Sequence, residues 1–240
     1  MMLLSIVIPV FNEGGNIRAC LSAIESRVEH EHEILIVYDF DEDNTLPAVR
    51  ELMPSMPCIQ LVRNKYGRGV LNAIKTGLES AEGVYVVVTM ADLSDPPEVI
   101  NAMIDAAERE NADVVCASRY MKGGSQTGGP LLKGLMSRTA GLTLHWFAGL
   151  PTHDATNSFK LYRKSYLESV TVESTGGFEL GLELTVKAYR QGRKICEVPT
   201  SWTDRTAGES HFKIMKWLPS YLKWYFHAFK TRLLGRSGTL

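Results

Sequence analysis

The chain has 240 residues, 45% of them hydrophobic and 22% charged, enough to bury a core in one large α/β domain or two small ones. Its formal net charge of −1 excludes a protein that binds nucleic acid through overall electrostatics. Cys20, Cys58, Cys116 and Cys196 are far apart and form no CxxC pair, which fits buried reduced thiols in a cytoplasmic protein.

The opening run from Leu3 to Val10 lacks a basic leader and meets Pro9 early, so it reads as a strand buried on both faces rather than a signal peptide. Ile17, Leu21, Ile24 and Val28 then recur at helical spacing. Glu33 to Val37 and Ile59 to Val62 predict two further strands. Arg68 to Ser80 predicts a helix with Val70, Ile74 and Leu78 on one face. Val84 to Val88 is the strongest strand signal. A helix begins near Pro96, where proline is tolerated in the first turn, and Val114 to Ala117 is the next strand.

The βαβ rhythm predicts a doubly wound, mostly parallel α/β sheet, Rossmann-like, with ligands beyond the carboxyl ends of the strands. The residues after each strand therefore carry the chemistry: Phe11 to Glu13, the acidic turn Asp39 to Asp43, Met90 to Asp95, and Ser118 with Arg119. The second half is less regular. A glycine-rich stretch from Lys122 to Pro130 suits a mobile lid. A helix over Leu131 to Phe147, a strand over Ser158 to Tyr162, a helix over Glu179 to Arg190 and a strand over Lys194 to Val198 follow. No apolar stretch reaches the ~20 residues of a membrane span. His30 and His32 fall in a charged turn and read as solvated. His145 and His153 share no metal-ligand spacing with a cysteine, so zinc is not expected.

Asp92 and Asp95 directly follow the strongest strand, where carboxylates hold a hard divalent cation against a diphosphate. Asp95, before Pro96 and Pro97, is equally well explained as a helix cap. Asp39, Asp41, Glu42 and Asp43 converge on the same sheet edge and suit ribose hydroxyls, base N–H groups and a metal, the alternative being a solvated acidic loop, which is the reading for Glu42.

The segments SIVIPVFNEGGNI, DFDEDNT, RNKYGRGVLNAIKTGLESA, MADLSDPPE, SRYMKGG, DATNSFKLYRK, GFELGLELTVKA, EVPTSW and DRTAGES occur in the order found in glycosyltransferase family 2. Together they resemble its dolichyl-phosphate mannose synthase and polyprenyl-phosphate glycosyltransferase branch, from Ser5 to Ser210. The resemblance implies a GT-A fold over 1–210, an inverting enzyme, a nucleotide diphosphate sugar donor, and Mg²⁺ or Mn²⁺. It implies that Pro9, Phe11, Glu13 and Asp39 frame the nucleoside. Ala91 and Asp92 meet the ribose and the metal-held diphosphate, Ser94 is a further metal contact, and Arg205 closes over the donor phosphates, with His211 where the branch often has lysine. Arg119, Lys133 and Ser137 match positions that hold an acceptor phosphate.

Two departures bear on the donor site: Met90 replaces the first acid of the usual DxD-like motif, and Tyr38 replaces the acid before Asp39. In relatives that use a hydroxyl acceptor, a Glu-Asp base stands where this chain has Leu180 and Gly181. A phosphate monoester needs no such base, being largely dianionic at pH 7 with a second pKa of about 6. The acceptor read from this is a polyprenyl phosphate, with Asp154 or Glu183 as a displaced base if it is instead a hydroxyl. A nucleotide-sugar binding module without catalysis is the other alternative. Beyond Glu209 the chain has six basic residues and no acid, interleaved with aromatics. Segment 211–240 thus reads as an amphipathic helix at a membrane surface, with Trp217, Tyr221, Trp224 and Phe226 or Ala228 facing lipid and the protein peripheral to the membrane; a terminal helix packed on the core is the alternative.

Overall fold

The computed structural model describes residues 3–204 and 214–234, with side chains in the last helix described for 218–230. Seven strands form one sheet: β1 (Leu4–Pro9), β2 (His32–Tyr38), β3 (Ile59–Arg63), β4 (Tyr85–Val88), β5 (Val114–Ser118), β7 (Lys160–Arg163) and β8 (Ile195–Pro199), in the order β3-β2-β1-β4-β7-β5-β8. All pairings are parallel except those of β7, which runs antiparallel between β4 and β5. β1 carries β2 on one side and β4 on the other, so the strand order reverses there and a crevice opens beyond their carboxyl ends.

The apolar runs are explained by two cores, one on each face. Side chains alternate along β1, so Ile6 and Ile8 join one core while Val7 joins the other. The first core is covered by α1 (Ile17–Arg27) and α4 (Val99–Glu110), through Ile24, Ile100 and Ile104. The second is covered by α3 (Val70–Ser80), α7 (Leu180–Arg190) and α8 (Ile214–Leu234), through Ile74, Leu184 and Trp224. Gly77 lets α3 lie against β1, since a Cβ there would stand 2.3 Å from a Val7 methyl.

The structure departs from the sequence reading in three places. The acidic turn, whose sequence predicts only a loop, leads into a helix, α2 (Thr45–Leu52). The expected helix over Leu131 to Phe147 is α5 (Leu131–Thr143) followed by a π-turn, Leu144–Ala148, which widens the helix next to Gly149. The glycine-rich stretch is not a free lid. Its centre, β6 (Ser125–Thr127), pairs in parallel with β9 (Ser201–Thr203) in a second, two-stranded sheet. The short α6 (Lys164–Glu168) completes the fold.

Candidate functional site

Beyond the carboxyl ends of β1, β2, β4 and β5 lies a cleft of about 720 Å³, closed on one side by α5 and the β6–β9 pair. Pro9, Phe11, Glu13, Asp39, Asp92, Ser94, Arg119, Lys133 and Ser137 all line it. Ala91 is buried directly beneath, 1% exposed. Arg205 and His211 lie outside the described residues, while Asp204, preceding Arg205, is on the cleft wall.

At the β1–β2 end, half-exposed Phe11 meets Phe40 edge to face at 5.7 Å, and the Arg68 guanidinium stands 4.7 Å from the Phe40 ring centre. Glu13 accepts from the Asn16 amide at 2.6 Å, and its own backbone N–H donates to Thr45 Oγ1. Asp39 accepts from Asn64 Nδ2 at 2.7 Å and from the Gly69 N–H at 2.9 Å, which fixes the turn before α3. The rest of the acidic turn does other work, contrary to the sequence expectation. Asp43 is buried and accepts from the Asn12 and Thr45 N–H groups and the Thr45 hydroxyl, joining the β1 loop to the start of α2. Asp41 pairs with Arg63 on the surface, while Glu42 is exposed, as a solvated acidic loop predicts for it.

At the β4 exit, Asp92 Oδ1 accepts from the Ser94 N–H at 3.0 Å across Leu93, whose φ of 56° is left-handed. A bulky residue in that region costs roughly 1–3 kcal/mol and holds a tight turn only when its surroundings demand it. Here Leu93 packs on the first core and the Ser94 carbonyl accepts from the Thr203 N–H at 3.0 Å, tying the loop to β9. Asp95 is buried, with Oδ1 lacking any protein partner, and burial pushes its carboxyl up to about 7 although Arg119 pulls the other way. An orphaned carboxylate oxygen beside Asp92 and Ser94 gives a set of hard oxygen donors, and that set fits Mg²⁺ or Mn²⁺. Met90, also on the wall, adds no such donor.

The opposite wall is cationic. Arg119 donates from Nε to Asp154 Oδ2 at 2.6 Å and from Nη2 to Asp154 Oδ1 at 3.0 Å and to Ser137 Oγ at 2.9 Å. Burial opposes its charge, but Asp154 outweighs this and raises the guanidinium pKa further. Asp154 is fully buried and also accepts from the backbone N–H groups of Arg119 and Asn157. It therefore positions Arg119 and does not face the cleft as a base. Glu183 is equally buried, holding the Glu173 and Ser174 N–H groups and Lys187, so it is no displaced base either. Ser137 Oγ is shared with Thr156 at 2.6 Å and with Tyr120 at 3.0 Å, and Lys133, one turn earlier on α5, lines the same wall. Beneath it Lys160 is buried, donates to the Ala155 and Asn157 carbonyls, and has its pKa lowered by burial.

The model of the family described as "Glycosyl transferase family 2" matches residues 5–171, most of the chain. The chain belongs to glycosyltransferase family 2. It is 31% identical to a dolichol-phosphate mannosyltransferase of Pyrococcus furiosus over all of its own length and 70% of that protein's. It is 30% identical to a polyprenol monophosphomannose synthase of Mycolicibacterium smegmatis over 88% of this chain and 85% of that one. Among solved structures it resembles glucosyl-3-phosphoglycerate synthase of Mycobacterium tuberculosis, with TM-score 0.65, 18% identity, and coverage of 100% and 81% of the two chains. It also resembles Staphylococcus aureus TarS 1–349, with TM-score 0.66, 18% identity, and coverage of 98% and 67%. These neighbours share the GT-A fold, and the chain is a glycosyltransferase.

The sequence assigns several residues of this family 2 cleft no part in it, and places one of them, Tyr221, on a lipid-facing stripe instead. Arg68, Trp202, Phe178 and Tyr221 all line it. Arg68 was legible as the cation just before α3; Trp202, Phe178 and Tyr221 come from elements whose path to the cleft no local pattern discloses. The C-terminal helix also differs from expectation. Trp224 and Ala228 are buried in the second core, Tyr221 packs against it, and the Tyr225 hydroxyl meets Thr143 Oγ1 at 2.9 Å. Among the described residues that stripe faces protein, not lipid; the Trp217 side chain lies outside them. Leu222 and Phe226 point outward instead, and Leu131, Leu132, Leu135, Trp146 and Phe147 are exposed on α5 and the π-turn. Seven of the nine large exposed apolar side chains among the described residues thus lie on three neighbouring elements. No described helix is long and apolar enough to cross a membrane.

Proposed function

We propose that this glycosyltransferase moves a hexose from a nucleotide diphosphate sugar to a polyprenyl phosphate, with inversion, at a membrane surface. The observation that carries the reading is the division of one cleft. Carboxylates after β1, β2 and β4 line one wall, while Arg119, Lys133 and Ser137 line the other, beneath an α5 whose outer face is apolar. The relatives named for dolichol-phosphate and polyprenol substrates support a lipid phosphate acceptor.

In this reading Phe11, Glu13 and Asp39 receive the nucleoside, and Asp92 with Ser94 and Asp95 would hold Mg²⁺ or Mn²⁺ against the diphosphate. Such a cation, when bound, neutralises diphosphate charge. Arg119 and Lys133 hold the acceptor phosphate so that one oxygen faces the anomeric carbon. That oxygen's lone pair forms the new C–O bond as the old bond's electrons leave on the nucleoside diphosphate. Arg205 stabilises the departing charge. No proton has to be removed from a dianionic acceptor, which accords with Asp154 and Glu183 being locked in structural contacts. The exposed leucines of α5 with Trp146, Phe147, Leu222 and Phe226 give the lipid tail and the bilayer an apolar landing surface.

Transfer of radiolabelled sugar from a panel of nucleotide sugars to short-chain polyprenyl phosphate, with Mn²⁺ or EDTA, tests this. Transfer should occur with one donor, require the metal, and be abolished in Asp92→Ala, whose fold stays intact because the residue lies in a loop. Full activity in EDTA or in Asp92→Ala removes the metal assignment. Transfer to a free sugar hydroxyl but not to the lipid phosphate removes the acceptor assignment.

A further inference from the structure

At the amino-terminal ends of β2 and β3, across the sheet's length from the cleft, Glu25, His32 and Cys58 each bring one ligand atom within 4.8 Å of the others. We propose that these three side chains bind a borderline-soft divalent cation of the zinc type, distinct from the hard cation of the cleft. The elements that carry them are α1, the first residue of β2, and the residue before β3. With about 3.3 Å of rise per residue, β2 separates this cluster from its own carboxyl end by about 20 Å, so the donor site is not involved.

Three observations support a built site. First, the His32 ring does not sit in a solvated turn, as its sequence context suggested. Its Nδ1 lies 2.7 Å from the His30 carbonyl, which only accepts, so Nδ1 carries the proton. In the neutral ring Nε2 is then a bare lone pair, and it is buried with no hydrogen-bond partner. A backbone carbonyl fixing one imidazole nitrogen while the other faces a metal is the usual arrangement for a ligating histidine. Second, the Ile34 N–H donates to the Cys58 carbonyl at 2.8 Å, so the sheet holds Cys58 beside His32. Third, Cys58 Sγ already reaches Glu25 Oε2 at 3.9 Å. Ligand atoms around tetrahedral zinc stand roughly 3.5 Å apart, given bonds of about 2.0–2.3 Å. The three ligand atoms, within 4.8 Å of one another, have to close in by about an ångström at most, a rotamer-scale shift open to exposed Glu25, with water as fourth ligand. A nitrogen and sulfur donor set excludes Mg²⁺ in favour of zinc-like ions, the reverse of the cleft's oxygen set.

Cobalt(II) titration of the full chain tests the proposal. One equivalent should give a thiolate-to-cobalt charge-transfer band with the visible absorption of a tetrahedral centre, and Zn²⁺ should displace it. Cys58→Ser and His32→Ala should each weaken binding at least about tenfold, whereas Asp92→Ala should leave the band unchanged. A measurement on the unmodified protein needs no variant to fold. Cys20, Cys116 and Cys196 are buried, so a disulfide reagent on the native protein reads Cys58, and Zn²⁺ should slow that reaction at least about tenfold. No charge-transfer band at one equivalent, a band that survives in Cys58→Ser, or a thiol rate indifferent to Zn²⁺ overturns the site.

Discussion

Replacing Asp154 with alanine isolates the contact that positions the cationic wall. The carboxylate is fully buried and meets the Arg119 guanidinium through two parallel bonds of 2.6 and 3.0 Å, while the Arg119 side chain is 10% exposed. Removing one partner of such a pair leaves an uncompensated charge with little water, a cost of about 3–5 kcal/mol. For a protein of this size each kcal/mol lowers Tm by about 2–4 °C, so Asp154→Ala should melt about 6–20 °C lower. Arg119→Ala should cost less, because the carboxylate keeps the Arg119 and Asn157 backbone N–H donors at 3.1 and 3.2 Å. The double variant should be less destabilised than the sum of the singles, with a coupling of about 1–3 kcal/mol. Urea unfolding followed by tryptophan fluorescence measures all four proteins. Additivity within about 0.5 kcal/mol, or a loss below about 1 kcal/mol in Asp154→Ala, would refute the claim that this pair is a buried, mutually dependent unit.

Three further outcomes follow from the site. Lys133→Ala should raise the acceptor KM or lower kcat while leaving nucleotide affinity unchanged, measured by steady-state transfer and nucleotide thermal shift; equal loss of both moves Lys133 to the donor side. Gly141→Ala should destabilise by about 1–3 kcal/mol in urea unfolding, since a Cβ there stands 2.2 Å from the His153 carbonyl and would push α5 off the loop carrying Asp154. Combining Leu132→Ser, Leu135→Ser and Phe147→Ser should abolish co-sedimentation with anionic vesicles at high salt, where only apolar burial persists, without lowering Tm, because all three side chains are exposed. Vesicle binding equal to the unmodified protein assigns that surface to something other than lipid.

Much of this was written locally in the chain. The apolar run of β1 and the Val-rich β4 predict strands buried on both faces, and the helical spacing of Val70, Ile74 and Leu78 predicts α3. Because ligands of a doubly wound sheet sit beyond its carboxyl ends, those strands also point to the residues after them. Phe11, Glu13, Asp39 and Asp92 accordingly line the cleft. The start of α2 is legible too: Asp43, just ahead of the N-cap Asn44, accepts from the Thr45 N–H, and Pro47 falls in the first turn. The acidity of the turn masked that signal.

Tertiary structure decided which acids and cations act in the site and which only hold it. Asp154 and Arg119 are 35 residues apart, and nothing in either segment marks them as a pair. Only the insertion of β7 beside β5 brings the loop before β7 to the end of β5. The same holds for three-residue β6, whose partner β9 lies far along the chain, and for Trp224, whose amphipathic pattern serves a membrane or a protein core equally well until α7 is seen against it. Local patterns record which way a side chain points along its own element. Which charge it meets depends on chain crossings that no window of sequence contains.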